Sequence, residues 1–359
     1  MEENAVKKMI AVIASLVICI LVVSCGLGHS IKKEQEKPTE EEMKIIDNEI
    51  VIGFSQLGAE SDWRSANSQS MKETFTSENG YNLIFEDGQQ KQANQIMAIR
   101  TFIQQEVDYI VLAPVTETGW DTVLQEAKDA GIPVIIVDRM VDVSDESLFT
   151  CWVGSDFELE AKKATEWLLQ YFSQEKIGPA ENINIVNIQG TIGASSQIGR
   201  TKGLSDAAKQ NGWNLLAEVS GDYTQAKGRE VMEFFLKQYD NINVVYCEND
   251  NEALGAIEAI EAAGKIVGSD IARGEIMVIS FDGVNENAVN YVKEGKITCI
   301  AECNPLHGPR VRAIIETLEA GKTPEKFSYV DEEIFTASET VKELTIEGVT
   351  YPVTILSAD

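Results

Sequence analysis

Short apolar runs alternate with amphipathic stretches from residue 50 to residue 319. The runs at 50–54, 81–85, 109–112 and 133–137 are apolar at nearly every position. A strand covered on both faces has that pattern. Between them, 63–78, 91–105 and 120–130 carry apolar residues at helical spacing, with Ile96, Ile99 and Ile103 on one face of the second. Asn79-Gly80 marks the end of the first. A second series has strands at 183–188, 215–219, 244–246, 276–281 and 297–301. Its helices are 158–172, 198–210, 225–238, 252–263, 286–294 and 309–319. Alternation of this kind predicts an α/β fold with parallel sheets covered by helices on both faces. About nine strand–helix units exceed one comfortable sheet, so two doubly wound parallel-sheet lobes are expected. No shorter repeat stands out.

The first 48 residues break this pattern. Lys7-Lys8 precedes an apolar run at 9–23, and Leu21-Val22-Val23-Ser24-Cys25 follows the form of a lipoprotein signal. The run has signal-peptide length and is short for a membrane span. Residues 1–24 are therefore expected to be removed and Cys25 to take a diacylglyceryl group. The alternative is an uncleaved anchor helix, and both readings put the rest of the chain outside the cytoplasm. Residues 25–48 are rich in Lys and Glu and are expected to form a solvated tether.

The composition narrows the function. Apolar residues make up 44% of the chain, enough for a full core. A formal net charge of −28, from 58 acids and 30 bases, argues against nucleic acid as a partner. Cys151, Cys247, Cys299 and Cys303 lack C-x-x-C spacing, so no zinc site is expected. Cys299 and Cys303 are too far apart along an extended strand to pair with each other. These four are expected to be buried thiols, although an oxidising compartment permits bridges between distant pairs. His29 and His307 are the only histidines, which leaves histidine-dependent catalysis poorly supported.

In open parallel sheets, ligands bind beyond the carboxyl ends of the strands. Those ends are polar throughout this chain. Residues 55–64 include Glu60-Ser61-Asp62-Trp63-Arg64, and Asp87-Gly88-Gln89-Gln90 and Asp138-Arg139 follow later strands. In the second series come Gln189-Gly190-Thr191, Ser195-Ser196, Arg200, Gly221-Asp222-Tyr223, Glu248-Asn249-Asp250, Asp282-Gly283 and Glu302. Carboxylates accept from hydroxyls, Asn both donates and accepts, and Arg forks across adjacent oxygens. Trp63 and Tyr223 offer faces for the C–H side of a sugar ring. Each position alone also has a scaffold reading: Asp250 as a helix cap, Asp282-Gly283 as a turn.

These segments resemble the type I periplasmic sugar-binding proteins, and within them the galactofuranose receptors of ABC importers. The likeness runs through Gly53-Phe54-Ser55-Gln56, Glu60-Ser61-Asp62-Trp63-Arg64, Asp87-Gly88-Gln89-Gln90-Lys91-Gln92, Ala113-Pro114-Val115 and Val137-Asp138-Arg139. It continues in Gln189-Gly190-Thr191-Ile192-Gly193-Ala194-Ser195, Ser220-Gly221-Asp222-Tyr223, Lys227-Gly228, Asn249-Asp250, Asp282-Gly283-Val284 and Asn304-Pro305. The resemblance implies two lobes joined by a hinge: 49–153 with 303–330, and 154–302 with 331–359. It implies ligand contacts from Ser61, Asp62, Trp63, Arg64, Asp138 and Arg139 of one lobe. From the other come Arg200, Tyr223, Asn249 and Asp282, with Glu302 at the hinge. The 60–64 stretch departs from that of ribose receptors, which favours a furanose or hexose. The expected protein is a monomeric receptor without cofactor or metal. It would be lipid-anchored on the outer face of a Gram-positive cell membrane and deliver a monosaccharide to an ABC permease and ATPase. Rival readings are a sugar sensor for a membrane histidine kinase or chemoreceptor, and a glycosidase using Asp138 and Asp282. Arg139 beside Asp138 argues against the glycosidase, because it would keep that carboxyl ionised.

Overall fold

The structure, a computed structural model, describes residues 49–178 and 182–357. The readings of the signal segment, of Cys25 and of the tether lie outside the described residues.

The first series builds β1 (Ile50–Gln56), α1 (Asp62–Thr74), β2 (Tyr81–Asp87), α2 (Gln92–Gln104), β3 (Tyr109–Leu112), α3 (Asp121–Asp129), β4 (Val134–Val137) and β5 (Cys151–Gly154). The second builds α4 (Phe157–Gln174), β6 (Asn184–Gln189), α5 (Ser195–Asn211), β7 (Asn214–Ser220), α6 (Gln225–Gln238), β8 (Val244–Cys247), α7 (Asp250–Ala262), β9 (Met277–Asp282), α8 (Glu286–Lys293) and β10 (Cys299–Glu302). The chain ends with α9 (His307–Glu319), β11 (Phe327–Tyr329), β12 (Ile334–Thr336), β13 (Glu343–Ile346) and β14 (Val349–Ile355).

The strands form two sheets. One is parallel throughout, in the order β11-β5-β4-β3-β1-β2. The other runs β13-β14-β12-β10-β9-β8-β6-β7, and β12 pairs antiparallel with β10. Each sheet buries both faces, which is why its central strands read as continuous apolar runs. On β3, Ile110 and Leu112 join Phe102, Trp120 and Leu124 on one face of the first sheet. Val111, from the same strand, joins Phe54, Met71 and Ile315 on the other. The second sheet has Trp167, Leu204 and Phe281 on one side and Met232, Phe235 and Ile257 on the other. The two doubly wound lobes expected from the alternation are present.

Five strands were not anticipated. β5 is a four-residue Cys-Trp-Val-Gly stretch, too short to register as a run. β11 to β14 are short or half-exposed. A two-residue turn, Glu347-Gly348, joins β13 to β14 with both residues at positive φ, 51° and 84°. That is the twist a hairpin needs, supplied without Asn or Asp. α1 stops at Thr74 rather than at residue 78, because a 3-10 turn at Ser77–Asn79 and Gly80 at φ 82° redirect the chain into β2. Cys151, Cys247, Cys299 and Cys303 are free and buried.

The chain passes between the two sheets three times, at 155–156, 303–306 and 330–333. Backbone bonds tie the crossings to the strands beside them. Val330 N donates to Gly154 O at 2.9 Å, and Glu302 N donates to Glu333 O at 2.9 Å.

Candidate functional site

Loops beyond the carboxyl ends of β1, β4, β7, β8 and β9 meet around one cavity. Both lobes wall it. On the first, Ser61 caps α1 by accepting from Arg64 N at 3.2 Å, which sets Trp63 and Arg64 in the first helical turn. Arg64 Nη2 donates to Asp138 Oδ2 at 2.6 Å and its Nε to Glu60 Oε1 at 3.3 Å. Its guanidinium also lies over the Trp63 ring, 4.6 Å from the centroid. Asp138 follows β4 in a left-handed conformation, φ 62°. Burial opposes the charge of its carboxyl, but Arg64 and Arg139 outweigh burial and hold it below the ordinary carboxylate range. Arg139 Nη1 donates to Val115 O at 3.0 Å, and its guanidinium sits 5.2 Å from the Tyr223 ring centroid.

On the second lobe, Arg200 of α5 is the centre. Its Nε donates to Glu160 Oε2 at 2.8 Å, one Nη to Glu248 O, and the other to Asp282 Oδ1 at 3.2 Å. Burial disfavours its charge, but Glu160 and Asp282 more than compensate, so the guanidinium stays ionised. Asp282 also has positive φ, 91°. Tyr223 stands at φ 61° with its hydroxyl 2.7 Å from Ser196 Oγ. Asn249 caps α7 by accepting from Glu252 N at 2.8 Å and donates to Tyr223 O at 3.1 Å. Asp250 accepts from Ser280 Oγ, Val284 N and Asn285 N at 2.9–3.1 Å, so it serves the scaffold.

The two walls touch. Trp63 Nε1 reaches the 303–306 crossing, donating to Cys303 O at 2.6 Å. Met140 N donates to Ser195 Oγ at 2.9 Å, and Glu117 N to Gly193 O at 3.0 Å. At the rim the Asp62 carboxylate accepts from Asn251 Nδ2 at 3.0 Å and from Asn285 Nδ2.

Two polar atoms on the first wall have no protein partner although they are buried: Arg64 Nη1 and Glu60 Oε2. Polar atoms this deep are normally paired. An unpaired donor and an unpaired acceptor on one wall suit a group that does both, which is the property of a hydroxyl. Catalytic chemistry fits less well. Asp138 is held ionised and is a poor acid. His307 lies behind the wall, its Nδ1 3.0 Å from Asn67 Nδ2, and burial pushes it down to about 4. Among the described residues, Glu160, Cys303 and Glu332 have donor atoms within 4.8 Å of one another, the spacing of a cation site. Arg200 already supplies Glu160 with positive charge there.

Residues 52–307 match the family described as periplasmic binding protein domain. The galactofuranose-binding protein YtfQ of Escherichia coli (strain K12) is 40% identical over 301 residues, which is 82% of this chain and 90% of that protein. The chain belongs to the periplasmic binding protein family. Two solved structures are similar throughout the fold. A Mycobacterium smegmatis protein in complex with β-D-fucofuranose superposes with a TM-score of 0.75 at 40% identity, covering 81% of this chain and 92% of that one. The periplasmic component of the arabinose ABC transporter of Shewanella sp. ANA-3, bound to α- and β-L-arabinofuranose, gives 0.72 at 39%, covering 80% and 91%. These relatives are binding proteins rather than enzymes.

Nine of the residues expected at the site of this periplasmic binding protein line the cavity: Ser61, Trp63, Arg64, Asp138, Arg139, Arg200, Tyr223, Asn249 and Asp282. Asp62 and Glu302 do not. Asp62 is one helical position before Trp63, about 100° around the axis, and points to the rim. Glu302 folds back on the crossings, accepting from Glu333 N at 3.0 Å and Asn304 Nδ2 at 3.1 Å. Glu60, Phe157, Ser196 and Cys303 line the cavity and were not nominated. Glu60 precedes the Ser61 cap and lies outside α1, so helical spacing gave no signal for it. Phe157 follows β5, a strand the apolar pattern did not disclose.

Proposed function

We propose that this protein is an extracytoplasmic receptor that binds a monosaccharide in its furanose form, or a similar hexose, between its two lobes. The carrying observation is a cavity walled by both lobes whose lining residues Arg64 and Glu60 each keep a buried atom without protein partner, the donor Nη1 and the acceptor Oε2. Trp63, Phe157 and Tyr223 supply apolar faces for the C–H side of a sugar ring. Fucofuranose, arabinofuranose and galactofuranose in the names of three relatives support the furanose form.

Binding proceeds by closure about the crossings at 155–156, 303–306 and 330–333. In this reading the lobes are 49–153 with 303–330, and 154–302 with 331–359. Sugar docks on one wall, and contacts from the other form only when the lobes meet, so ligand shifts the population to the closed state. Each hydrogen bond to a charged group nets roughly 1.5–3 kcal/mol, and leaving one unmade costs about as much, which rejects wrong epimers. The closed surface is presented to an ABC permease, with Cys25 carrying a lipid that keeps the receptor at the membrane.

The test is a thermal-shift and calorimetric titration with D-fucose and L-arabinose. Wild type is stabilised by a furanose-forming sugar. Arg200→Ala and Asp138→Ala lose that stabilisation while each still unfolds in a single cooperative transition. Sugar-induced shifts of wild-type size in both variants would remove the site assignment.

A further inference from the structure

Behind the cavity a second polar centre joins all three crossings, and the sugar reading makes no use of it. Glu332 stands in the third crossing. Its Oε1 accepts from Ser155 Oγ of the first at 2.6 Å and from Asn304 N of the second at 2.7 Å. One carboxylate oxygen therefore binds the three strands of chain together. Ser155 Oγ is in turn 3.4 Å from Cys303 Sγ. On the cavity side, the donor atoms of Glu160, Cys303 and Glu332 lie within 4.8 Å of one another, all buried. Glu160 gives Oε2 to Arg200, while its Oε1 is buried and accepts from no N–H or hydroxyl.

The surrounding cations do not neutralise Glu332. Lys163 of α4 donates to its backbone carbonyl at 2.6 Å, not to its carboxyl. Arg310 of α9 is spent on Asn304 Oδ1 and Leu306 O. Arg200 of α5 is spent on Glu160, Glu248 O and Asp282 of β9. Two carboxyls thus face each other, and the one guanidinium beside them is shared between Glu160 and Asp282. Like charges confined this way leave one group protonated.

We propose that Glu332 keeps a proton at neutral pH and donates it to Glu160 Oε1, so that a buried proton shared by these two carboxyls is a structural part of the hinge. It satisfies the orphaned oxygen, and it leaves Glu332 Oε1 free to accept from Ser155 and Asn304. The ionisation behaviour agrees. Burial and the neighbouring Glu160 charge push Glu332 up to about 9. Burial raises Glu160 too, but Arg200 opposes that rise, so the proton rests on Glu332. Burial also keeps the Cys303 thiol protonated.

The consequence has a definite sign. An unfolded chain leaves Glu332 in the ordinary carboxylate range, near 4.5. Between that value and about 9 the folded hinge holds one proton more than the unfolded chain. Folding stability is therefore fully present on the acid side of this window and falls as pH rises through it, by up to about tenfold in the folding constant per pH unit for one proton. Glu332→Gln has the shape of the neutral acid. Its amide N–H reaches Glu160 and its oxygen accepts from Ser155 and Asn304 at every pH.

Difference infrared spectroscopy of the full chain, wild type minus Glu332→Gln, tests this at pH 7. A protonated-carboxyl C=O band is expected that vanishes as pH is raised through 9. Urea unfolding from pH 5 to 9 should show the wild type losing stability relative to Glu332→Gln as pH rises. No such band, a pH-independent stability difference, or a Glu332→Gln chain that fails to fold would each overturn the proposal. So would a divalent metal that co-purifies with the wild type and is lost in Cys303→Ser. Any effect on sugar affinity rests on Arg200 being a sugar contact, whereas the infrared and unfolding measurements do not.

Discussion

Asp62 gives the sharpest test of closure, because its carboxylate bonds only across the lobes. It accepts from Asn251 Nδ2 at 3.0 Å and from Asn285 Nδ2, and all three residues reach solvent at the rim. Replacing Asp62 with Ala removes both bonds. The two amides then rehydrate, so no buried orphan is left behind. A charge-assisted bond at such an exposed place nets about 0.5–1 kcal/mol, below the 1.5–3 of a buried one. The pair therefore amounts to roughly 1–2 kcal/mol in the closed state alone, or about 5- to 30-fold in the closing constant. Because binding is linked to closure, the sugar Kd should weaken by that factor, and dissociation rather than association should carry it. Asp62 also opens α1, where an acid favours the helix by about 0.3–1 kcal/mol, so a small loss of ligand-free stability is expected too. Asp62→Asn separates the two effects, since it keeps one neutral acceptor and should fall midway in Kd. Stopped-flow fluorescence of Trp63 with L-arabinose reads both rates. A Kd for Asp62→Ala within twofold of wild type would refute closure through this rim.

Three further outcomes follow from the same geometry. Asn249→Ala removes the α7 cap and the bond that holds Tyr223 O; about 1 kcal/mol of stability should be lost, read by urea unfolding, together with most sugar affinity. His307 stays neutral in the fold down to about 4, while the unfolded chain takes up its proton near 6.5. Its stabilising effect is therefore present above 6.5 and lost between 6.5 and 4, up to about 3 kcal/mol, and His307→Asn should flatten that part of an acid unfolding profile. A Cβ at Gly190 would overlap the Tyr223 ring, so Gly190→Ala should displace Tyr223 and weaken sugar binding in calorimetry, with far-UV circular dichroism unchanged.

What the sequence disclosed depends on burial and run length. β3 and β8 are covered on both faces and read as unbroken apolar runs, so the lobes and their helices were legible. β11 carries Phe327 and Tyr329 with a polar residue between them at an exposed edge, and no periodicity test separates that from a loop. At the site, strand-end position was enough to find Asp138, Arg200 and Asp282, because the parallel sheet brings every carboxyl end to one side. It was not enough for Asp62, where a single helical step decides between cavity and rim. Nor could it find Glu160 or Glu332. Their meeting depends on how three crossings pack, and that is a property of long-range contacts.

A symmetry that no sequence repeat announced explains why the polar strand ends work as a pair of jaws. The orders β2-β1-β3-β4-β5 and β7-β6-β8-β9-β10 are the same topology. Asp138 follows the fourth strand of one and Asp282 ends the fourth strand of the other, each at positive φ. The helix after the first strand of each lobe supplies the partner, Arg64 at 2.6 Å and Arg200 at 3.2 Å. Each Arg holds a second acid, Glu60 and Glu160. Holding Asp in a left-handed conformation costs of order 1 kcal/mol at both places, and the Arg contact offsets it. The halves then differ where function requires it. Glu60 and Arg64 each leave one atom unpaired at the cavity wall, whereas Glu160 turns its spare oxygen away toward the hinge. In the proposed closure, the first wall offers its unpaired atoms to the sugar, and Glu160 links the second wall to the three crossings.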